Sequence, residues 1–510
     1  MRTEDYRTAA IGRASIEQFH ETMDRVLEEL GEHRDLDLVV GIPFHDEIDT
    51  LAGVIETVRV GLERAGLDGR AVLLCAGPER AKPVFDAVTK MVGHHAEVPL
   101  HGLVLGDGLD GRGWSVRAIM VAATRFRAPL ILLLPNLVPA GNGQTIDAGP
   151  GGFVEAVGFS PEWIERLYEP TKQRQDLALA RFNRHPLAQP VESFLAYPTI
   201  AAVFGFRLRQ PTPGVVAISQ KLIHMCLAAP DPWASETGAY GFDAWLVTRA
   251  LSEGLSVCEV PLGPVSFRHE VGKLKHVFHQ VAHAVLGEVA RHENHWLDRT
   301  TPLLSASVSG PRLDAAPPDY DLRSDQLRRR FKLEFNHFDE TLFQAIIPDD
   351  LRERMERQAD AVTEGISLSA EEWILILRRF LLAYRFEESF HRDDIVDGLF
   401  PFFLARLVTF IDEYHSMKEH LSVSGDLSLE SARRIARHEA ERVIQNQTEI
   451  FVAEWPSFRD SWKEREKEVS PYLPRLGAWQ FIPNVDVIVP QEIKVPDGHS
   501  VWAYQVYKSV

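Results

Sequence analysis

Cysteine is scarce: Cys75, Cys226 and Cys258 are the only three in 510 residues, each in an apolar context and none at a short paired spacing. That distribution supports neither a disulfide scaffold nor a cysteine zinc site, and it fits a reducing compartment. Long apolar runs are missing as well. No stretch is long enough to span a bilayer, and Met1-Arg2-Thr3-Glu4-Asp5 has no apolar signal core, so a cytoplasmic location is expected. Positive charge is also in short supply, with 55 Lys and Arg against 73 Asp and Glu and a formal net charge of -18. Such a surface repels nucleic-acid phosphates and anionic membranes, so neither is an expected partner; a local basic pocket for a phosphorylated ligand remains compatible with it.

What is present is ordinary globular material: 45% hydrophobic and 25% charged residues supply enough apolar surface for sizeable cores. A chain of this length exceeds one compact core, and two or three domains are expected. Ile16, Phe19, Met23, Val26, Leu27 and Leu30 recur at helical spacing, which predicts an amino-terminal helical extension over residues 1–35. Strands then alternate with helices: strands near 37–43, 71–75, 100–105 and 130–134, and helices near 48–65, 79–92 and 114–125. That alternation predicts a doubly wound, mostly parallel sheet. Further on, helices are expected near 161–179, 190–204 and 241–253, with strands near 214–218 and 257–261. Ser-Gly-Pro and Ala-Ala-Pro-Pro between 301 and 325 have linker composition, so residues 286–325 are predicted as a linker. Residues 326–510 are predicted as a mainly α-helical carboxyl-terminal domain, with helices over 371–385, 395–414 and 429–452 and an extended tail.

The segment Leu38-Val39-Val40-Gly41-Ile42-Pro43-Phe44-His45-Asp46-Glu47 is the most informative stretch. A strand without polar alternation suits the centre of a parallel sheet, and ligands in open α/β sheets bind beyond the carboxyl ends of such strands, where Glu47 falls. In chain order there follow Leu74-Cys75-Ala76-Gly77-Pro78-Glu79-Arg80, Gly111-Arg112-Gly113, Ser160-Pro161-Glu162-Trp163-Ile164, Gln210-Pro211-Thr212-Pro213-Gly214, Tyr240-Gly241-Phe242-Asp243 and Phe267-Arg268-His269. Together, over roughly residues 36–285, this series resembles the GT-A fold glycosyltransferases that make small osmolyte glycosides, namely mannosylglycerate synthase and, more distantly, glucosyl-3-phosphoglycerate synthase.

The resemblance implies a Rossmann-like GT-A domain over 36–285 and retaining transfer of a hexose from a nucleotide diphosphate sugar to a small hydroxy acid or polyol. It implies that Pro43 and Glu47 hold the base and ribose, with Glu79 and Arg80 making further nucleotide contacts. Arg112 stands where relatives carry a Lys of Gly-Lys-Gly that approaches the diphosphate, and Asp243 stands near the acceptor hydroxyl and the anomeric carbon. The implied cofactor is a divalent metal, Mg or Mn, held in the family by Asp-x-Asp and by the counterpart of His269, with Arg268 adding charge to that loop. This chain departs from the pattern: the Asp-x-Asp position reads Leu134-Pro135-Asn136, leucine cannot ligate, and Asn136 offers one amide oxygen. Val215 likewise stands where the family's Gln-Pro-Leu-Gly-Gly-Glu carries its glutamate. Asp147 is a candidate replacement carboxylate, and Arg181 and Arg184 are candidates to clamp an acceptor carboxylate.

Loss of those acids is also what a retired, nucleotide-sugar-binding regulatory relative would show. Two features stand apart from the series. Phe403, Leu404, Leu407 and Phe410 could form a homo-oligomer interface in the carboxyl-terminal domain, against which stands their use as that domain's own core. His276, His279 and His283 share a helical face, but the neighbours Val277, Phe278, Val281 and Val285 favour an amphipathic packing helix.

Overall fold

The protein is described from a computed structural model covering residues 16–28, 30, 36–95, 97–106, 108–140, 145–147, 153–155, 158–229, 236–238, 241–265, 274–300, 303–313, 315–317, 320, 322, 324–337, 340–360, 365–423, 428–469, 485–494 and 500–508. The first helix, α1 (16–28), lays Phe19, Met23 and Val26 into the core, as their helical spacing requires. A βα series follows: β1 (Leu38–Pro43), α2 (Ile48–Arg64), β2 (Ala71–Pro78), α3 (Lys82–Val92), β3 (Leu100–Leu105), α4 (Arg112–Phe126) and β4 (Leu130–Leu132). After a small hairpin of β5 (Thr145–Asp147) and β6 (Phe153–Glu155) come α5 (Glu162–Lys172) and β7 (Leu177–Asn183). A helix α6 over residues 192–204 has wide π-type turns at Glu192–Ala196 and Ile200–Phe204. Then come β8 (Phe206–Arg207), β9 (Val216–Ile218), α7 (Gln220–Ala228), α8 (Phe242–Ser252), β10 (Val257–Pro264) and α9 (Leu274–Arg291).

The main sheet has eight strands, completed by β12 (Ser307–Val308), in the order β12-β10-β7-β9-β4-β1-β2-β3. Every neighbour pair is parallel except the two made by β9, which runs antiparallel to both β4 and β7. All other strands therefore end at one edge of the sheet, and β9 begins there. The order 3-2-1-4 around β1 reverses between β1 and β4, which opens a crevice at their carboxyl ends. The expected doubly wound α/β architecture is the one observed.

Strand side chains alternate between two cores. Val39, Val72, Leu74, Leu130 and Leu132 face α4, while Leu38, Val40, Ile42, Leu73 and Ile131 face α2 and α5. Burial on both faces explains the unbroken apolar runs at 38–42 and 130–133.

Several expectations are corrected. A single helix over 161–179 does not form; it stops at Lys172, and Leu177-Ala178-Leu179-Ala180 enters the sheet as β7. Leu and Ala are strong helix formers, but pairing with β10 and β9 overrides that preference. The span 286–325 is not a bare linker: it carries α10 (Glu293–Trp296), β11 (Leu304–Ser305) paired to β8, and the edge strand β12.

Nor do the carboxyl-terminal helices stand apart. They are α11 (Ser324–Asn336), α12 (Glu340–Ile346), α13 (Asp349–Asp360), α14 (Ala370–Phe386), α15 (Arg392–Val423) and α16 (Leu429–Val469), and their apolar faces continue the core that begins at Phe19. Trp373 on α14 donates its indole N–H to the Phe194 carbonyl on α6 at 2.8 Å, and Arg209 donates to Glu441 on α16 at 2.9 Å. Phe403, Leu404, Leu407 and Phe410 are buried in this core, so they offer no subunit face. The tail pairs Val485–Lys494 with Ser500–Lys508 as an antiparallel hairpin, β13 and β14.

Candidate active site

The crevice is built where the topology brings distant loops to one sheet edge. Pro43 closes β1 and is buried; five residues later α2 begins at Ile48. Glu47 stands just before that helix and accepts the backbone N–H groups of His45 at 2.7 Å and Asp46 at 3.1 Å. Its carboxylate therefore shapes the β1–α2 turn. One helical turn on, the Thr50 hydroxyl donates to the Pro135 carbonyl at 2.7 Å, fastening α2 to the segment that replaces Asp-x-Asp.

The neighbouring loops interlock in the same way. Glu79 is exposed in a short 3-10 turn after β2. Arg80 beside it donates to His45 Nε2 at 2.9 Å and lies 3.4 Å from Asp110, so it bridges the loops after β1, β2 and β3. Neither Arg80–His45 nor Thr50–Pro135 was legible in the sequence, because both join residues that only the sheet makes neighbours.

Gly111-Arg112-Gly113 opens α4. Gly111 has φ 137°, which strains any side chain, and a Cβ on Gly113 would lie 1.9 Å from the Thr237 carbonyl. The two glycines thus let the helix end press against residues 237–238 and point Arg112 inward. Arg112 pairs with Asp243 Oδ2 at 2.9 Å and donates to the Gly214 carbonyl at 3.1 Å. Gly214 in turn abuts the Leu134 side chain. Leu134, Arg112, Gly214 and Asp243, dispersed over more than a hundred residues, therefore meet at one place, and Asn136 follows Leu134 by two positions.

Two buried oxygens in these segments lack a hydrogen-bond partner among the described residues: Asn136 Oδ1 and Asp243 Oδ1. Buried polar atoms are rarely left so, and in a crevice such atoms are ready for a ligand's hydroxyl or amide. The described donor set does not fit a hard divalent cation. Leu134 is apolar, Asn136 gives one neutral oxygen, and Asp243 is already paired with Arg112. Arg268 and His269 lie outside the described residues, as does the Asp147 side chain.

Arg181 and Arg184 are both paired with carboxylates. Arg181 binds Glu259 at 2.9 Å; Arg184 binds Glu192 at 3.3 Å and donates to the Pro213 carbonyl at 3.1 Å. Burial lowers the Arg184 pKa from its usual value, with Glu192 opposing that shift. Both arginines line a cavity of about 390 Å³ that Arg437 and Glu441 of α16 also line. The chain's carboxyl-terminal helix thus forms part of a wall that the sequence assigned to the sheet domain alone. His185, also on this wall, is buried against the Tyr414 hydroxyl at 3.0 Å.

No family model matches the chain, and no curated protein matches it. Among solved structures, the chain is similar to glucosyl-3-phosphoglycerate synthase. For that enzyme from Mycobacterium tuberculosis in complex with Mn2+, uridine-diphosphate and glucosyl-3-phosphoglycerate, identity is 16%, half of this chain matches 80% of that one, and the TM-score is 0.35. With Mg2+ and uridine-diphosphate bound, the same enzyme shows 15% identity, 53% of this chain against 83% of that one, and a TM-score of 0.35. A mycobacterial protein of unspecified activity gives 18% identity over half of this chain and 75% of its own, also at a TM-score of 0.35.

Proposed function

We propose that this protein is a glycosyltransferase that moves a hexose from a nucleotide diphosphate sugar to a small hydroxy acid or polyol. The observation that carries the reading is the Asp243 carboxylate, of which one oxygen is held by the Arg112 guanidinium and the other is buried without a hydrogen-bond partner among the described residues. In this reading Pro43 and Glu47 form the wall for the nucleoside, with Glu79 at the rim. Arg112 faces the diphosphate and stabilises the charge that develops as it departs. Asp243 keeps one oxygen on Arg112 and turns the other to the acceptor hydroxyl. The bond between anomeric carbon and diphosphate oxygen breaks, its electron pair leaves with the nucleoside diphosphate, the bond to the acceptor oxygen forms, and the hydroxyl proton passes to the Asp243 carboxylate. Because the Asp-x-Asp position holds Leu134 and Asn136, the transfer is assigned to the chain's own cations, with Arg268 and His269 as further donors and no requirement for a metal at Leu134-Pro135-Asn136.

The second reading, a nucleotide-sugar-binding partner of an active enzyme, draws on one feature: Arg112 and Asp243 neutralise each other at 2.9 Å. One experiment separates them. Purified protein is incubated with nucleotide diphosphate sugars and small hydroxy acids, with manganese or with a chelator, and released nucleoside diphosphate is measured. Release that persists under chelation and is lost in Asp243→Asn supports the transferase. Binding without release supports the second reading, and neither binding nor release overturns both.

A further inference from the structure

Away from the crevice, a second cluster joins the two halves of the chain. On α9, His279 and His283 are one helical turn apart, with ring centroids 4.5 Å apart. Asp393, in the first turn of α15, lies 3.0 Å from His283 Nε2. The donor atoms of the three side chains all lie within 4.8 Å of one another.

We propose that His279, His283 and Asp393 form a site for a divalent transition-metal ion, zinc or cobalt in chemical class, that staples α9 to α15. Imidazole and carboxylate bind such ions at roughly 2.0–2.2 Å in a tetrahedron, so ligand atoms should stand about 3.3 Å apart. The His283–Asp393 edge already has about that length, the other edges lie within 4.8 Å, and Asp393, 72% exposed, has open space in which to adjust. His283 is 3% exposed, and its other ring nitrogen, Nδ1, meets the Tyr384 hydroxyl at 3.2 Å. That contact fixes the ring with Nε2 toward Asp393, the outer-shell support that metal-binding histidines need. Two nitrogens and one oxygen suit zinc or cobalt and disfavour magnesium or calcium, which want oxygen throughout. With three protein ligands, the fourth position falls to water.

A plain His283–Asp393 hydrogen bond would account for two of these residues. It leaves unexplained why His279 brings its own donor atom to the same point. The site is independent of the transferase reading and shares no residue with the crevice.

The test uses the full chain, stripped by a chelator, assayed without nucleotide so that no ion enters with a sugar nucleotide. Cobalt(II) titration should give a ligand-field spectrum of tetrahedral type saturating near one equivalent, reversed by zinc, and added zinc should raise the melting temperature. His279→Gln and Asp393→Asn should each weaken binding at least tenfold while melting like the metal-free parent, and Tyr384→Phe should weaken it by about 10–100-fold through loss of ring orientation. Absence of a one-equivalent spectrum, or affinity unchanged from the parent in His279→Gln and in Asp393→Asn, would overturn the site.

Discussion

Arg112 and Asp243, 131 positions apart in the sequence, form a 2.9 Å ion pair with side chains only 10% and 13% exposed. Arg112 heads α4 and Asp243 heads α8, so the pair fixes two helix ends against the crevice. The same two groups are the cation and the carboxylate that sugar transfer would use.

Asp243→Asn keeps the shape of the side chain and removes its charge. Nucleoside diphosphate release should fall by about a hundredfold or more, the usual scale for a positioned acid or base, while nucleotide binding measured by thermal shift stays within severalfold. Equal loss of binding and turnover would show that Asp243 serves only the architecture.

Arg112→Ala leaves the Asp243 carboxylate buried and alone. Removing one partner of a buried pair costs about 3–5 kcal/mol, so denaturant midpoints should drop sharply. The double change Arg112→Ala with Asp243→Ala should recover part of that loss, and a simple additive result would deny the coupling.

Gly113→Ala tests the close packing of α4. Its methyl would stand 1.9 Å from the Thr237 carbonyl, a backbone atom with no rotamer to adopt. A loss of about 1–3 kcal/mol is expected, together with weakened nucleotide binding as Arg112 is displaced. Unchanged stability would mean that residues 237–238 yield freely.

His185 predicts a pH dependence. Burial, reinforced by Arg437, Lys418 and His415, pushes its pKa down to about 3. The folded state therefore keeps it neutral, with Nδ1 accepting the Leu187 N–H at 3.3 Å and Nε2 left to donate to Tyr414. The unfolded chain takes up a proton below about pH 6.5, so stability holds above that value and declines as pH falls from there toward 3. The slope should approach ~1.4 kcal/mol per pH unit, and His185→Gln should lose most of it in chemical denaturation at pH 7 and pH 5.

The βα series was legible in the sequence alone. Unbroken apolar runs at 38–42 and 130–133 can only be strands covered on both faces, and a polar residue after such a strand must fall at the ligand edge. Gly111 and Gly113 stood out only through the family resemblance, since a Gly-x-Gly before a helix serves a plain turn equally well. What the sequence could not carry is which of these residues meet. Leu177-Ala178-Leu179-Ala180 becomes β7 because β9 and β10 flank it, and Arg112 finds Asp243 because antiparallel β9 starts where the other strands end. The carboxyl-terminal helices likewise belong to the cavity wall through Arg437 and Glu441, a result of packing surface that no local pattern encodes. Local periodicity sets each element, and the sheet order, a long-range choice among competing pairings, decides their chemistry.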